Sequence, residues 1–165
     1  MHASEVDSSP ADSTEPPPPV QTEAVGFTAY EDTLGIDYSP GETIDFPHTT
    51  TNVGGHYSTA TSEFTCPYNG FYMFSVSIMC DDEDDLVAQI MLDGTLLASA
   101  YADDLPLSVH ETHHQASQVV VTECVAGARV WIESGSSGEI YSDSTRPASF
   151  SGVLLNQYNA TRAVV

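Results

Sequence analysis

Lysine is absent from this chain, and arginine occurs three times, at Arg129, Arg146 and Arg162, against 24 acidic residues. The resulting formal charge of -21 repels phosphate backbones, which excludes nucleic acid as a partner and disfavours docking on anionic lipid. Cations and cationic partners are drawn to such a surface instead. Long apolar runs are missing too: no stretch approaches the roughly 18 consecutive apolar residues of a membrane span. The start, Met1-His2-Ala3-Ser4-Glu5, lacks the basic and apolar regions of an export signal, so a signal has been removed or export follows another route. There is no P-loop, dinucleotide fingerprint or G-x-S-x-G elbow, and no heptad, Gly-X-Y or other repeat. Cysteine is scarce: Cys66, Cys80 and Cys124 permit one intrachain bridge and leave one thiol over.

What is present divides the 165 residues into one domain with flanking segments. Residues 1–25 contain Pro16-Pro17-Pro18-Pro19 and five carboxylates, with almost no large apolar side chain. Such a segment buries too little surface to offset its ordering entropy and reads as a disordered, acidic stalk, its proline run an extended spacer or a recognition motif. Residues 26–158 read as a globular head, and 159–165 as a tail. Within the head, Phe71 to Met79 is rich in aromatic and β-branched residues. Leu86–Leu92 and Thr95–Tyr101 flank Asp93-Gly94, which predicts a hairpin on a type I′ turn. Gln118–Glu123 and Arg129–Glu133 around Ala126-Gly127 read as a second hairpin, and Ala148–Tyr158 as a last strand. Many short strands at regular spacing predict an all-β sandwich or jelly roll.

From Phe46 onward a spaced set of residues stands out: Phe46, Asn52, Tyr57, Phe64, Gly70, Tyr72 and Phe74, with Val76 where an aromatic would complete the pattern. Together with Thr51-Asn52-Val53-Gly54-Gly55-His56-Tyr57, Phe64-Thr65-Cys66-Pro67 and Phe150-Ser151-Gly152-Val153-Leu154-Leu155, this set resembles the complement C1q globular-head family over residues 26–158. The aromatics two apart, such as Tyr72 and Phe74, share one strand face, and Gly70 suits a tight turn entering that strand, so these residues are framework. The resemblance implies a ten-stranded jelly roll of the tumour-necrosis-factor type, assembled as a homotrimer and non-enzymatic. It implies a secreted, stand-alone recognition head of the innate-immune, lectin-like kind, with glycans or microbial surface ligands as partners. An acidic extracellular-fluid or matrix protein binding calcium or heavier metals is the alternative.

Several constellations bear on that alternative. Some heads of the resembled family hold calcium near the threefold axis through Asp residues in the loop after the strand ending here at Tyr101, which makes Asp103 and Asp104 metal candidates. His114 stands where a further Asp ligand is expected, which admits a softer cation such as Zn2+ beside Ca2+. His110-Glu111-Thr112-His113-His114 matches H-E-x-x-H formally. That motif needs a helix, whereas this stretch lies in a loop before Val119-Val120-Val121, so His110, His113 and His114 are divalent-metal candidates or a solvated loop, not a protease centre. Asp81-Asp82-Glu83-Asp84-Asp85 lacks the Gly that a calcium-hand loop requires, since Leu86 is there, and reads as solvated. Trp131 and Tyr101 read as core or interface. Asn159-Ala160-Thr161 is a glycosylation sequon. If the jelly roll holds, the turns after Cys66 and Cys124 meet at one end of neighbouring strands, and a Cys66–Cys124 bridge with Cys80 free is the expected pairing.

Overall fold

Alternation sets the architecture. In β6 (Gly70–Cys80) every second side chain from Tyr72 to Cys80 is buried, and the same period runs through β1 (Gly26–Glu31), β7 (Leu86–Leu92) and β10 (Arg129–Ser134). A computed structural model of the chain describes residues 23–80, 85–102 and 113–158. Its remaining strands are β2 (Ile36–Tyr38), β3 (His48–Val53), β4 (Tyr57–Ser58), β5 (Glu63–Thr65), β8 (Thr95–Ala102), β9 (His114–Cys124), β11 (Gly138–Ile140) and β12 (Ala148–Gln157). The described residues contain no helix.

Ten strands form two five-stranded antiparallel sheets: a front sheet in the order β3-β1-β12-β6-β9 and a back sheet in the order β4-β5-β10-β7-β8. A two-stranded ribbon, β11-β2, is added to them. The expected ten-stranded jelly roll is this sandwich. Its core is a cluster of rings: Phe27 stacks on Tyr57 at 4.7 Å and on Phe64 at 4.9 Å, and meets Phe150 edge-on at 4.9 Å. Tyr72 and Phe74 stack on the same inward face, as their spacing requires, with ring centroids 5.9 Å apart. Gly152 makes room for these rings, because a Cβ there would run into Phe27 and Phe74. Asn52 earns its signature place by clamping a loop: its amide donates to the Tyr57 carbonyl at 3.0 Å and accepts from the Tyr57 N–H at 3.2 Å.

The Leu86–Ala102 hairpin forms as expected, with Asp93 (φ 45°) and Gly94 (φ 82°) both in the left-handed region of a type I′ turn. The second expected hairpin does not. β9 bonds to β6 in the front sheet, whereas β10 lies between β5 and β7 in the back sheet. The turn between them is tied to Cys66 instead: Gly127 N–H donates to the Cys66 carbonyl and Cys66 N–H to the Ala128 carbonyl, each at 2.8 Å. Gly70 also serves differently from the reading above. It has no left-handed φ; a side chain there would overlap the Asn156 carbonyl, where a bulge brings β12 close. Nor is Tyr101 core, being 53% exposed on β8.

Candidate functional site: the outer face of the front sheet

The outward positions of the front sheet fall into transverse rows set by strand register. Val53, Gly26, Val153, Met73 and Val121 line up across all five strands. The four side chains of that row are 37–56% exposed. Phe71 and Leu155 extend it toward one end, and Val119 toward the other, all exposed. The next row is Thr51, Thr28, Ser151 and Ser75, with the Ser151 hydroxyl donating to Thr28 Oγ1 at 3.1 Å. After it come His48, Tyr30, Ser149, Ser77 and Ser117. One face therefore grades from an apolar end to an end rich in hydroxyls.

A loop built around Asp143 divides the polar end into two hollows. Asp143 Oδ1 accepts from the Thr145 hydroxyl at 2.6 Å, the Thr145 N–H at 2.7 Å and the Arg146 N–H at 2.9 Å. Arg146 Nη2 donates to Asp143 Oδ2 at 2.9 Å. These donors, the Thr145 hydroxyl foremost, hold the Asp143 carboxyl far below the usual carboxylate range. The Arg146 guanidinium carbon also lies 5.3 Å from the Tyr141 ring centroid, and Tyr141 stacks on His113 at 3.9 Å. On one side of the loop a hollow of ≈ 290 Å³ is lined by Ser77, Gln115, Thr145 and Arg146. On the other, an opening of ≈ 460 Å³ is lined by Thr28, Tyr30, Asp32, Ser144 and Ser149. Pro147 walls both.

Of the metal candidates, Asp103, Asp104 and His110 lie outside the described residues, as do most of the Asp81–Asp85 run and the sequon at Asn159. His113 stacks on Tyr141, while His114 opens β9 opposite Cys80, whose thiol donates to the His114 carbonyl at 3.8 Å. The stretch leads into a strand rather than a helix, so the zinc-protease arrangement has no support from it. Among the described residues no three His, Cys, Asp or Glu side chains gather as a metal set. All three cysteines are buried, and the turn after Cys124 is bonded to the backbone of Cys66, which sets the two residues of the expected bridge at the same end of the sandwich. The two do share a hydrogen bond, which pushes the Cys66 thiol up and holds Cys124 down.

The apolar row escaped sequence reasoning, which assigned inward faces only. A signal was available in Val119-Val120-Val121: apolar residues on both faces of one strand mark a strand covered on both sides.

Comparison with known proteins places this framework. The C1q domain model matches residues 27–155. The chain is 34% identical to zebrafish (Danio rerio) Caprin-2 over 125 residues, covering 73% of this chain and 13% of that protein. It is 32% identical to bovine (Bos taurus) Protein HP-25 homolog 1, covering 71% and 52% of the two chains. With human (Homo sapiens) Complement C1q tumor necrosis factor-related protein 3 the identity is 27%, over 68% of this chain and 44% of that one. The chain thus spans about half, or less, of the length of these relatives. In fold it is similar to the globular domain of zebrafish complement 1qA protein (TM-score 0.64, 17% identity, covering 81% and 99% of the two chains). It is similar also to the Eiger TNF of S. frugiperda (TM-score 0.69, 9% identity, covering 87% and 100%). With an antiparallel sandwich carrying the aromatic pattern at every position but Val76, and a family match over most of its length, the chain belongs to the C1q-domain family.

Proposed function

We propose that this chain is a secreted, trimeric recognition head that acts by binding and not by catalysis, with glycans of microbial or host surfaces as its ligands. The observation that carries the reading is the exposed apolar row Val53, Val153, Met73 and Val121, with Phe71 and Leu155 beside it. A contiguous apolar face on a chain of charge -21 is a surface meant to be covered, and a copy of the same chain is the partner that C1q-type heads take. The glycan reading is supported by the two hollows at the polar end. Hydroxyls, the Gln115 amide, the Arg146 guanidinium and the Tyr30 ring are the groups that hold sugar hydroxyls and stack on sugar faces.

Light scattering on the purified chain should give three times the mass of one chain, and a glycan array should report selective binding. The variants Arg146→Ala and Tyr30→Ala should lose that binding while keeping the trimer. A stable monomer at micromolar concentration overturns the assembly reading; undiminished array binding by both variants overturns the placement of the glycan.

The charge of -21 without lysine favours a second reading, in which the head also carries divalent cations such as Ca2+ or Zn2+ through Asp103, Asp104 and the neighbouring His110, His113 and His114. A cation bound only by the folded assembly stabilises it by about 2.7 kcal/mol at a hundred times its dissociation constant. Chelator should then lower the melting temperature, and Asp103→Asn with Asp104→Asn should remove that response. Melting that ignores chelator sinks this second reading alone.

A further inference from the structure

Cys66 and Cys124 belong to opposite sheets. Cys66 directly follows β5 of the back sheet, and Cys124 ends β9 of the front sheet. Two sets of contacts bring them together. The turn that follows Cys124 is bonded to the Cys66 backbone on both its N–H and its carbonyl, and Cys124 itself lies opposite Gly70, four residues past Cys66. Both side chains are buried in the same core, at 0% and 1% exposure. Cys80 sits at the far end of β6, opposite His114, roughly 33 Å along the strand from the end that pairs with Cys124. A disulfide needs Cα atoms within about 7 Å, so Cys80 cannot bridge to Cys124 in the folded chain.

We infer that Cys66 and Cys124 are an oxidisable pair whose disulfide staples the front sheet to the back sheet, with Cys80 left as a thiol. The oxidant is a small-molecule or protein disulfide of an oxidising compartment. One sulfur of the pair, as thiolate, attacks it and releases one thiol. The other sulfur then attacks the mixed disulfide and releases the second. Two protons and two electrons leave the pair, and the oxidant becomes two thiols. Burial of both sulfurs means that exchange takes place as the core closes, or during opening of the Val125–Ala128 turn. Once formed, the bridge is shielded from reductant by the same burial. It closes the long segment 66–124 and fixes the end of β9, an edge strand carrying Val119 and Val121 of the apolar face. The inference rests on neither trimer nor ligand: a monomeric head that binds nothing would show it equally.

The test uses the full chain, folded in a buffer of oxidised and reduced glutathione and then denatured in alkylating reagent without reductant. The expected intact mass shows one alkylated cysteine, and peptide mapping places the label on Cys80 and joins the Cys66 and Cys124 peptides. Reductant present throughout the melt, where it reaches the pair as the core opens, should lower the melting temperature by several degrees. Cys80→Ser should keep that response and Cys124→Ser should lack it. Three alkylated cysteines in the wild-type chain, or any linkage through Cys80, overturns the inference, and that mapping needs no variant to fold.

Discussion

Tyr57 and Tyr72 bring hydroxyls into a core of stacked rings, and each is satisfied by a backbone carbonyl. Tyr57 donates to the Phe46 carbonyl at 3.1 Å, and Tyr72 to the Tyr68 carbonyl at 2.8 Å. Burial penalises the phenolate and outweighs the hydrogen bonds that favour it, from Ser62 at Tyr57 and from the Tyr68 N–H, which donates to the Tyr72 hydroxyl at 3.3 Å, so each pKa is pushed up from 10.0 to about 12. A group whose pKa is higher folded than unfolded adds stability that is fully present below the unfolded value and is lost as pH climbs through the folded one. The head should therefore be insensitive to these groups below pH 10 and lose on the order of 2 kcal/mol for each tyrosine between pH 10 and 12. Urea midpoints across that range, read beside tyrosinate absorbance, check the slope. Tyr57→Phe should flatten it, and an unchanged slope would show that this hydroxyl titrates as an exposed phenol does.

At the scale of elements, turns sort into those whose chemistry is local and those whose chemistry is not. Asp93-Gly94 is local: both residues need positive φ, and the Asp93 carboxylate further accepts from the Arg129 N–H at 2.9 Å. Gly94→Val should cost about 1 kcal/mol or more, because a β-branched residue resists φ 82°, and a lowered urea midpoint with an unchanged slope would show it. The 86–102 hairpin was legible in the sequence for that reason, as were β6 and β12, where apolar alternation is long. The Ala126-Gly127 turn was not. Its partner is the backbone of Cys66, more than sixty positions away in the sequence, and nothing in residues 118–133 announces that the two flanking strands part into different sheets. The candidate face was hidden for a related reason. Val53, Val153, Met73 and Val121 become one row only through the register of four strand pairs, which no single segment encodes. Gly70 was legible as necessary but not as to why, since the Asn156 carbonyl that excludes a side chain is set by a bulge in β12.

For the whole molecule, two terms oppose each other in assembly. Covering the apolar row favours association, by about 1.5–3 kcal/mol for each large side chain fully buried. Bringing together copies that each carry -21, with no lysine to offset it, disfavours association through repulsion that salt screens. The Debye length shrinks from about 30 Å at 0.01 M to about 3 Å at 1 M ionic strength, so the trimer should tighten as salt is raised. Val121 separates the two terms because it is 56% exposed in the single chain and its substitution leaves the core untouched. Val121→Asn removes apolar burial alone, whereas Val121→Asp, nearly the same shape, also brings a carboxylate from every copy into the contact. Sedimentation of the two variants at low and high salt should show both weakened relative to the parent. Asp should be weaker than Asn at low salt, with the gap closing as salt rises, and circular dichroism should be unchanged throughout. Equal trimers in both variants at every salt would place the assembly face elsewhere. Unequal trimers whose difference ignores salt would mean that the contact excludes ions altogether, so that the acidic surface acts on solubility and ligand approach rather than on assembly.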